Sequence, residues 1–158
     1  MAAVSTRRSA QPRRPEVSLA RLARGSEPRY RFPPGFAKSE ILFNFHRAAA
    51  AEKPAVIVVE GFFDCFKLRQ AGVRSVVALM GSALYPSQER LLRERFRHVI
   101  LMLDGDAAGR HATAEIAPRL RSHCTVQVIP LSPDTQPDQM TVDEVWHVLR
   151  ARDARPIQ

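Results

Sequence analysis

Cysteine is nearly absent from this 158-residue sequence: Cys65 and Cys124 stand alone, with no CxxC pair and no histidine cluster. That scarcity excludes a disulfide framework and a structural zinc site, and it fits a reducing cytoplasm. Long apolar runs are missing too. No stretch approaches the length needed to cross a bilayer, so no membrane role is expected. Acidic residues are scarce at the start, where residues 1 to 31 hold eight arginines against Glu16 and Glu27. The rest of the chain holds sixteen Lys or Arg against fourteen Asp or Glu, so most of the net charge of +8 sits in the leader and the body is nearly balanced. Residues 1–29 read as a basic, disordered tail rich in Arg, Ser, Ala and Pro, able to hold a phosphate backbone loosely. A plain solubilising leader is the alternative. The composition also has features of an organelle transit peptide, without a clear amphipathic pattern.

The length suits one domain with a sizeable core plus an appendage. Residues 30–53 read as a lead-in loop and helix, 54–151 as the domain proper, and 152–158 as a C-terminal tail. Pro33, Pro34 and Gly35 prevent regular structure in the lead-in. Ser39 is expected to cap a helix from Glu40 to about Ala51, with Ile41, Leu42, Phe45 and Ala49 on one face and Phe43 and His46 off it. Ala55 to Val59 is a buried-strand candidate, as are Ser75 to Met80, Val99 to Leu103 and Thr125 to Ile129. Helices are expected between them, from Phe62 to Ala71, Pro86 to Phe96 and Ala107 to Arg121, with Pro118 kinking or shortening the last. A closing helix from Thr141 to Arg150 shows capping-box spacing at Thr141 and Glu144. Val142, Val145, Trp146 and Leu149 should face inward from it. Strands alternating with helices in this way make an α/β fold with a central four-stranded, mostly parallel sheet.

The chemistry is expected where the strands end. The first three run into Glu60-Gly61, Gly81-Ser82 and Asp104-Gly105-Asp106, and ligands gather at the carboxyl ends of strands in open parallel sheets. If extended geometry persists through Gly105, Asp104 and Asp106 point the same way and can share one hard cation, with Gly105 leaving the space beside them open. The plainer alternative is an ordinary strand-to-helix turn in which Asp106 caps the next helix. Glu60 adds a third acid to the same edge. Crowded carboxylates repel, a divalent cation relieves the repulsion, and Mg2+ also takes phosphate oxygens, so phosphoryl transfer or phosphodiester cleavage is the natural chemistry.

The ordered triple VVEGFFD (Val58 to Asp64), ALMGSAL (Ala78 to Leu84) and LMLDGDAAGR (Leu101 to Arg110) resembles the Toprim family, and within it the branch found in bacterial DnaG-type DNA primases. The likeness covers about Tyr30 to Arg150. It implies a compact Toprim (Rossmann-like) fold, Mg2+ (or Mn2+) as cofactor, and work at nucleic-acid phosphates. By the resemblance Glu60 is the family's general acid or base, and Asp104 and Asp106 are its metal-binding pair. Asp64 is the further acid of the EGxxD motif. Asp138 matches the last acid of a late acidic loop, in which Gln136 stands where another aspartate is expected. Arg110, Lys38 and, less closely, Arg29 match positions that hold phosphate, nucleotide or nucleic acid. Gly61, Gly81 and Gly105 join the expected nucleic-acid or nucleotide contacts.

The expected function is Mg2+-dependent nucleotidyl transfer on DNA, in RNA primer synthesis for replication, with Glu60, Asp104 and Asp106 catalytic. Expected partners are single-stranded DNA, nucleotides and other primase or replication proteins. No zinc-binding segment or helicase-binding domain is recognisable, so the chain is expected to be one part of a split or truncated primase. A small Toprim nuclease and a non-catalytic nucleic-acid-binding accessory protein are the alternatives. Topoisomerase chemistry is not expected, because neither Tyr30 nor Tyr85 has a recognisable nucleophile context. Phe62, Phe63 and Phe66 are expected to pack the first crossover helix, Cys65 and Cys124 to be inert thiols, and Arg90, Arg93, Arg95 and Arg97 to form a solvated face, with nucleic-acid contact as the alternative.

Overall fold

The computed structural model describes residues 20–21, 30–32 and 34–153. Most of the basic tail, Arg29 included, lies outside the described residues. The chain divides into two units, 1–36 and 37–158. In the first, β1 (Ala20–Arg21) pairs antiparallel with β2 (Tyr30–Arg31), and the Phe32 and Phe36 rings stack at 4.8 Å.

The second unit is built on β3 (Ala55–Val59), β4 (Val76–Ala78), β5 (His98–Leu101) and β6 (Thr125–Val128), in the order β4-β3-β5-β6 and all parallel. Between them run α2 (Phe62–Gln70), α3 (Pro86–Arg95) and α4 (Ala107–Arg121). The α/β reading and its strand-helix order therefore hold. Alternation along the strands feeds two cores: Val56, Val58, Val99 and Leu101 point to one, and Ile57, Val59 and Ile100 to the other. Leu92, Ile116 and Leu120 of α3 and α4 fill the first, while Leu68 of α2 and Val145 and Leu149 of α5 (Val142–Asp153) fill the second. Helices on both faces are why the central strands read as unbroken apolar runs.

Several expectations are corrected. The helix expected from Glu40 to Ala51 is broken in two: a 3-10 turn, Lys38–Glu40, and a short α1, Phe45–Ala50. Tertiary hydrogen bonds outweigh its helical periodicity, because Phe43 exchanges both backbone bonds with Ala78 and so extends the sheet edge. Asn44 then turns the chain at φ 64°, its amide donating to the Val76 carbonyl at 2.8 Å. Ser39 therefore caps nothing, and Ile41, expected inside, is 42% exposed. The strands from Ser75 and Val99 are shorter than expected, and α4 runs through Pro118 without shortening. Pro118 and Ala114 both lie on its exposed side, where water can replace the missing bond. Phe63 and Phe66 are exposed, and only Phe62 of that group enters the core.

The capping box on α5 forms as read. Thr141 Oγ1 accepts from the Glu144 N–H at 3.2 Å, and the Glu144 carboxylate accepts the Thr141 N–H and hydroxyl, which holds that carboxyl below its usual range. Val142 nevertheless faces out, and Trp146 is half exposed with its indole N–H on the Ala71 carbonyl at 2.9 Å. Replacing Thr141 with Ala is expected to cost about 1 kcal/mol, lowering the melting temperature by about 2–4 °C in a thermal scan.

Candidate functional site

Three turns meet at the carboxyl ends of β3, β4 and β5. Glu60 follows β3 directly, and its carbonyl accepts two N–H groups of the β4 turn, Met80 at 2.8 Å and Gly81 at 3.2 Å. Those bonds hold Met80 at φ 63°, a left-handed backbone that a non-glycine residue adopts at a cost of about 1 kcal/mol or more. The strain sits at the edge where the acids gather. Glu60 also reaches across to β5, its Oε1 accepting the Asp104 N–H at 3.2 Å. The two motifs, 44 residues apart, are thus bonded to each other.

Asp104 is the electrostatic centre. Its carboxyl is pushed up to about 7, first by burial and then by the negative charges of Asp64, Glu60, Asp106 and Asp138. Its Oδ1 is buried with no hydrogen-bond partner, and so is Oδ1 of Asp138. Unsatisfied buried acceptors of this kind are costly unless something supplies positive charge or a proton. Asp106 caps α4, its Oδ1 accepting the Gly109 N–H at 2.8 Å, which is the plainer role that the motif allowed. Asp64 is buried and has both oxygens engaged: Oδ2 accepts the Gly61 N–H at 2.8 Å, and Oδ1 the Asp138 N–H at 3.1 Å. It therefore caps α2 and docks the 3-10 turn Pro137–Gln139 that carries Asp138.

All five acids lie on one edge of the sheet. Among the described residues, though, no group of three or more His, Cys, Asp or Glu side chains is drawn together tightly enough to hold a metal ion. The donor set still fits a hard divalent cation, because Mg2+ is usually held by one or two carboxylates, with waters and phosphate oxygens completing its shell. Asp104 and Asp138 each offer a buried, unpartnered oxygen for that purpose.

The other expected residues surround this edge. Arg110, in the first turn of α4, donates from Nη1 to the Gly105 carbonyl at 2.5 Å. Lys38 starts the 3-10 turn beside the β4 end, its Nζ 3.0 Å from where a Cβ on Gly81 would lie. Gly105 does not border open space, contrary to expectation. A Cβ there would meet the Ser132 carbonyl at 2.0 Å, because the proline-rich loop folds back over it, with the Gly105 N–H on the Thr135 carbonyl at 2.8 Å. Gln136 begins the 3-10 turn and is half-buried.

Two residues that shape the site went unread in the sequence. Gly109 packs against it so closely that a Cβ would lie 2.1 Å from the Asp104 carbonyl and 2.8 Å from Glu60 Oε1. The DGDxAG pattern contains it, but spacing alone does not say what approaches. Gln88, fully buried in α3, donates from its amide to the Lys38, Ile41 and Leu79 carbonyls at 3.1, 2.8 and 3.2 Å. It fixes the segment carrying Lys38 to the end of β4. Nothing local in the sequence marks it.

A four-stranded parallel sheet with glutamate after one central strand and an Asp-Gly-Asp turn after its neighbour defines a Toprim domain, and residues 55–130 match that family's model. This segment is a Toprim domain of the kind carried by bacterial DNA primases. The DNA primase of Aquifex aeolicus is 37% identical over 116 residues, covering 70% of this chain and 23% of that one. The crystal structure of the Aquifex aeolicus primase zinc-binding and RNA polymerase domains superposes with a TM-score of 0.71 at 31% identity, covering 82% of this chain and 35% of that one. A DnaG primase catalytic domain bound to single-stranded DNA superposes with a TM-score of 0.68 at 28% identity, covering 82% of this chain and 44% of that one. The chain spans less than a quarter of the length of the curated primases it matches. Among the described residues no helix is long and apolar enough to cross a membrane.

Proposed function

We propose that this chain supplies the Mg2+-dependent Toprim part of a DNA primase, acting in nucleotidyl transfer on single-stranded DNA in the cytoplasm together with other primase segments. The observation that carries the reading is the Asp104 carboxyl: buried, crowded by four acids, and unpartnered at Oδ1. Asp104, with Asp106 and Asp138 beside it, would hold Mg2+ or Mn2+. When bound, the ion neutralises charge on phosphate oxygens and orients them. Glu60 is the group for proton transfer at the reacting hydroxyl, held in place by the Asp104 N–H on its Oε1. Arg110 and Lys38 flank the acids and hold nucleotide or template phosphates. Gly61, Gly81 and Gly105 shape the three turns that nucleic acid or nucleotide approaches.

The test incubates the protein with labelled single-stranded DNA, ribonucleotides and Mg2+ or Mn2+, beside the Glu60→Gln variant. New oligonucleotides that vanish in the variant support the primase reading. Shortened DNA that depends on Glu60 would replace it with a nuclease, in which Glu60 positions water instead of a sugar hydroxyl. DNA binding without either product would leave an accessory role.

A further inference from the structure

The opposite edge of the same sheet carries a second charged feature that primer chemistry does not use. A cleft of about 970 Å3 is lined by Arg93, Arg95, Arg97, His98, Arg121 and His123, with Glu94 the one acid among its lining residues. His98 opens β5 and the cleft reaches Thr125 at the start of β6, so it lies at the amino ends of strands whose carboxyl ends face the acids. Asp104 lies six steps along the chain from His98, roughly 20 Å at the rise of an extended strand.

The arginines here differ in what they hold. Arg95 donates to the Ala49 carbonyl and lies 5.5 Å over the Phe96 ring, and Arg90, just outside, pairs with Glu94 at 4.0 Å. Arg93, Arg97 and Arg121 are exposed, and among the described residues no carboxylate pairs with any of them. Helix-end electrostatics explains part of this, since α3 ends at Arg95 and α4 at Arg121, where cations suit the helix dipole. It does not explain Arg97, beyond the end of α3, or why three guanidiniums without a carboxylate partner line one cleft. General basicity does not explain it either. The body of the chain is close to charge balance, so the positive charge has been gathered here locally.

We infer that this cleft is a second nucleic-acid contact, in which Arg93, Arg97 and Arg121 hold a phosphodiester backbone on the far side of the sheet from the acids. Guanidinium forks match phosphate oxygens, and such contacts position a strand without reading its bases. The inference draws on the reading of this protein as one that works on DNA. It does not depend on turnover at Glu60 and Asp104.

The test is fluorescence anisotropy of the full chain with a labelled oligo-dT over a salt series. Each phosphate contact to a single strand contributes about 0.7 to the slope of log affinity against log salt. The triple variant Arg93→Gln, Arg97→Gln, Arg121→Gln is therefore expected to lose about 2 from the slope. The matching triple Arg→Lys variant keeps the charge and should keep the slope, which separates charge from folding. Oligonucleotide synthesis is read in the same triple variants, so loss of catalysis and loss of this contact are told apart. An unchanged slope in the Gln triple overturns the inference. So does displacement of the oligonucleotide by poly-glutamate as effectively as by unlabelled DNA at equal charge, which would make the cleft a site for acidic protein.

Discussion

Replacing Asp104 with Asn is expected to make the metal-free protein more stable at pH 8 while removing at least about 100-fold of the divalent-ion-dependent turnover proposed for it. The two effects have one cause. Folding raises the Asp104 pKa from 3.8 to about 7, because burial and then Asp64, Glu60, Asp106 and Asp138 all penalise its charge. Below pH 3.8 the carboxyl is neutral in both folded and unfolded chains and costs nothing. Between 3.8 and about 7 the unfolded chain has released the proton that the folded one keeps, so stability falls as pH rises and levels off above about 7. Asn removes that penalty, and the advantage of the variant should grow from pH 4 to pH 8. The carboxyl is partly open to water, and screening leaves on the order of 1 kcal/mol, or about 2–4 °C in a chain of this length. Saturating Mg2+ or Mn2+ should reverse the order, because an ion that binds only the folded wild type stabilises it by about 2.7 kcal/mol at a hundred times its Kd. Thermal scans across pH, with and without the ion, give the answer. An Asn variant less stable than wild type at pH 8 without metal would show that the Asp104 carboxylate is a structural acceptor instead.

The same electrostatics explains what could be read from the sequence. Glu60, Asp104 and Asp106 each follow an apolar run, and a parallel sheet has no way to end its central strands except at a common edge, so their gathering was legible from the runs alone. The strand-helix order and the boundaries of β3 and α4 were legible for the same reason. The lead-in was not. From Glu40 to Ala51 the periodicity is helical, yet the Phe43 backbone finds partners on Ala78, a residue 35 positions away that local pattern cannot supply. Which role each acid takes was not settled by the sequence either, although the cap by Asp106 was among those the motif allowed. Asp64 and Asp106 serve as helix caps as well as charges on Asp104, and only the folded chain fixes which backbone N–H each accepts. Gly105 lacks a side chain, and the loop from Pro130 fills the room this leaves and brings Asp138 to the edge.

Glycine at 109 sharpens this last point into a test. In the first turns of an exposed helix, Gly→Ala ordinarily stabilises by roughly 0.5–1 kcal/mol. At Gly109 the opposite is expected, because the new methyl would sit 2.1 Å from the Asp104 carbonyl and 2.8 Å from Glu60 Oε1. The first obstacle is backbone three residues beyond β5, and it cannot swing aside as a flexible side chain would. Overpacking of this kind costs about 3 kcal/mol, or roughly 6–12 °C in melting temperature. Gly105→Ala should cost a similar amount, since its methyl would meet the Ser132 carbonyl at 2.0 Å. The functional consequences differ. Relief of the Gly109 clash moves Asp104 and Glu60 apart, breaking the bond between the two motifs, whereas relief of the Gly105 clash lifts the loop that carries Asp138. Measured well below both melting temperatures, turnover in Gly109→Ala should therefore fall even at saturating Mg2+, while Gly105→Ala should lose activity mainly through weaker ion affinity. Urea titrations read beside a Mg2+ series at fixed temperature separate the two. A Gly109→Ala protein with wild-type stability and full turnover would show that the α4 helix start is free to move, and that the tight fit against Glu60 and Asp104 does not hold the acids in register.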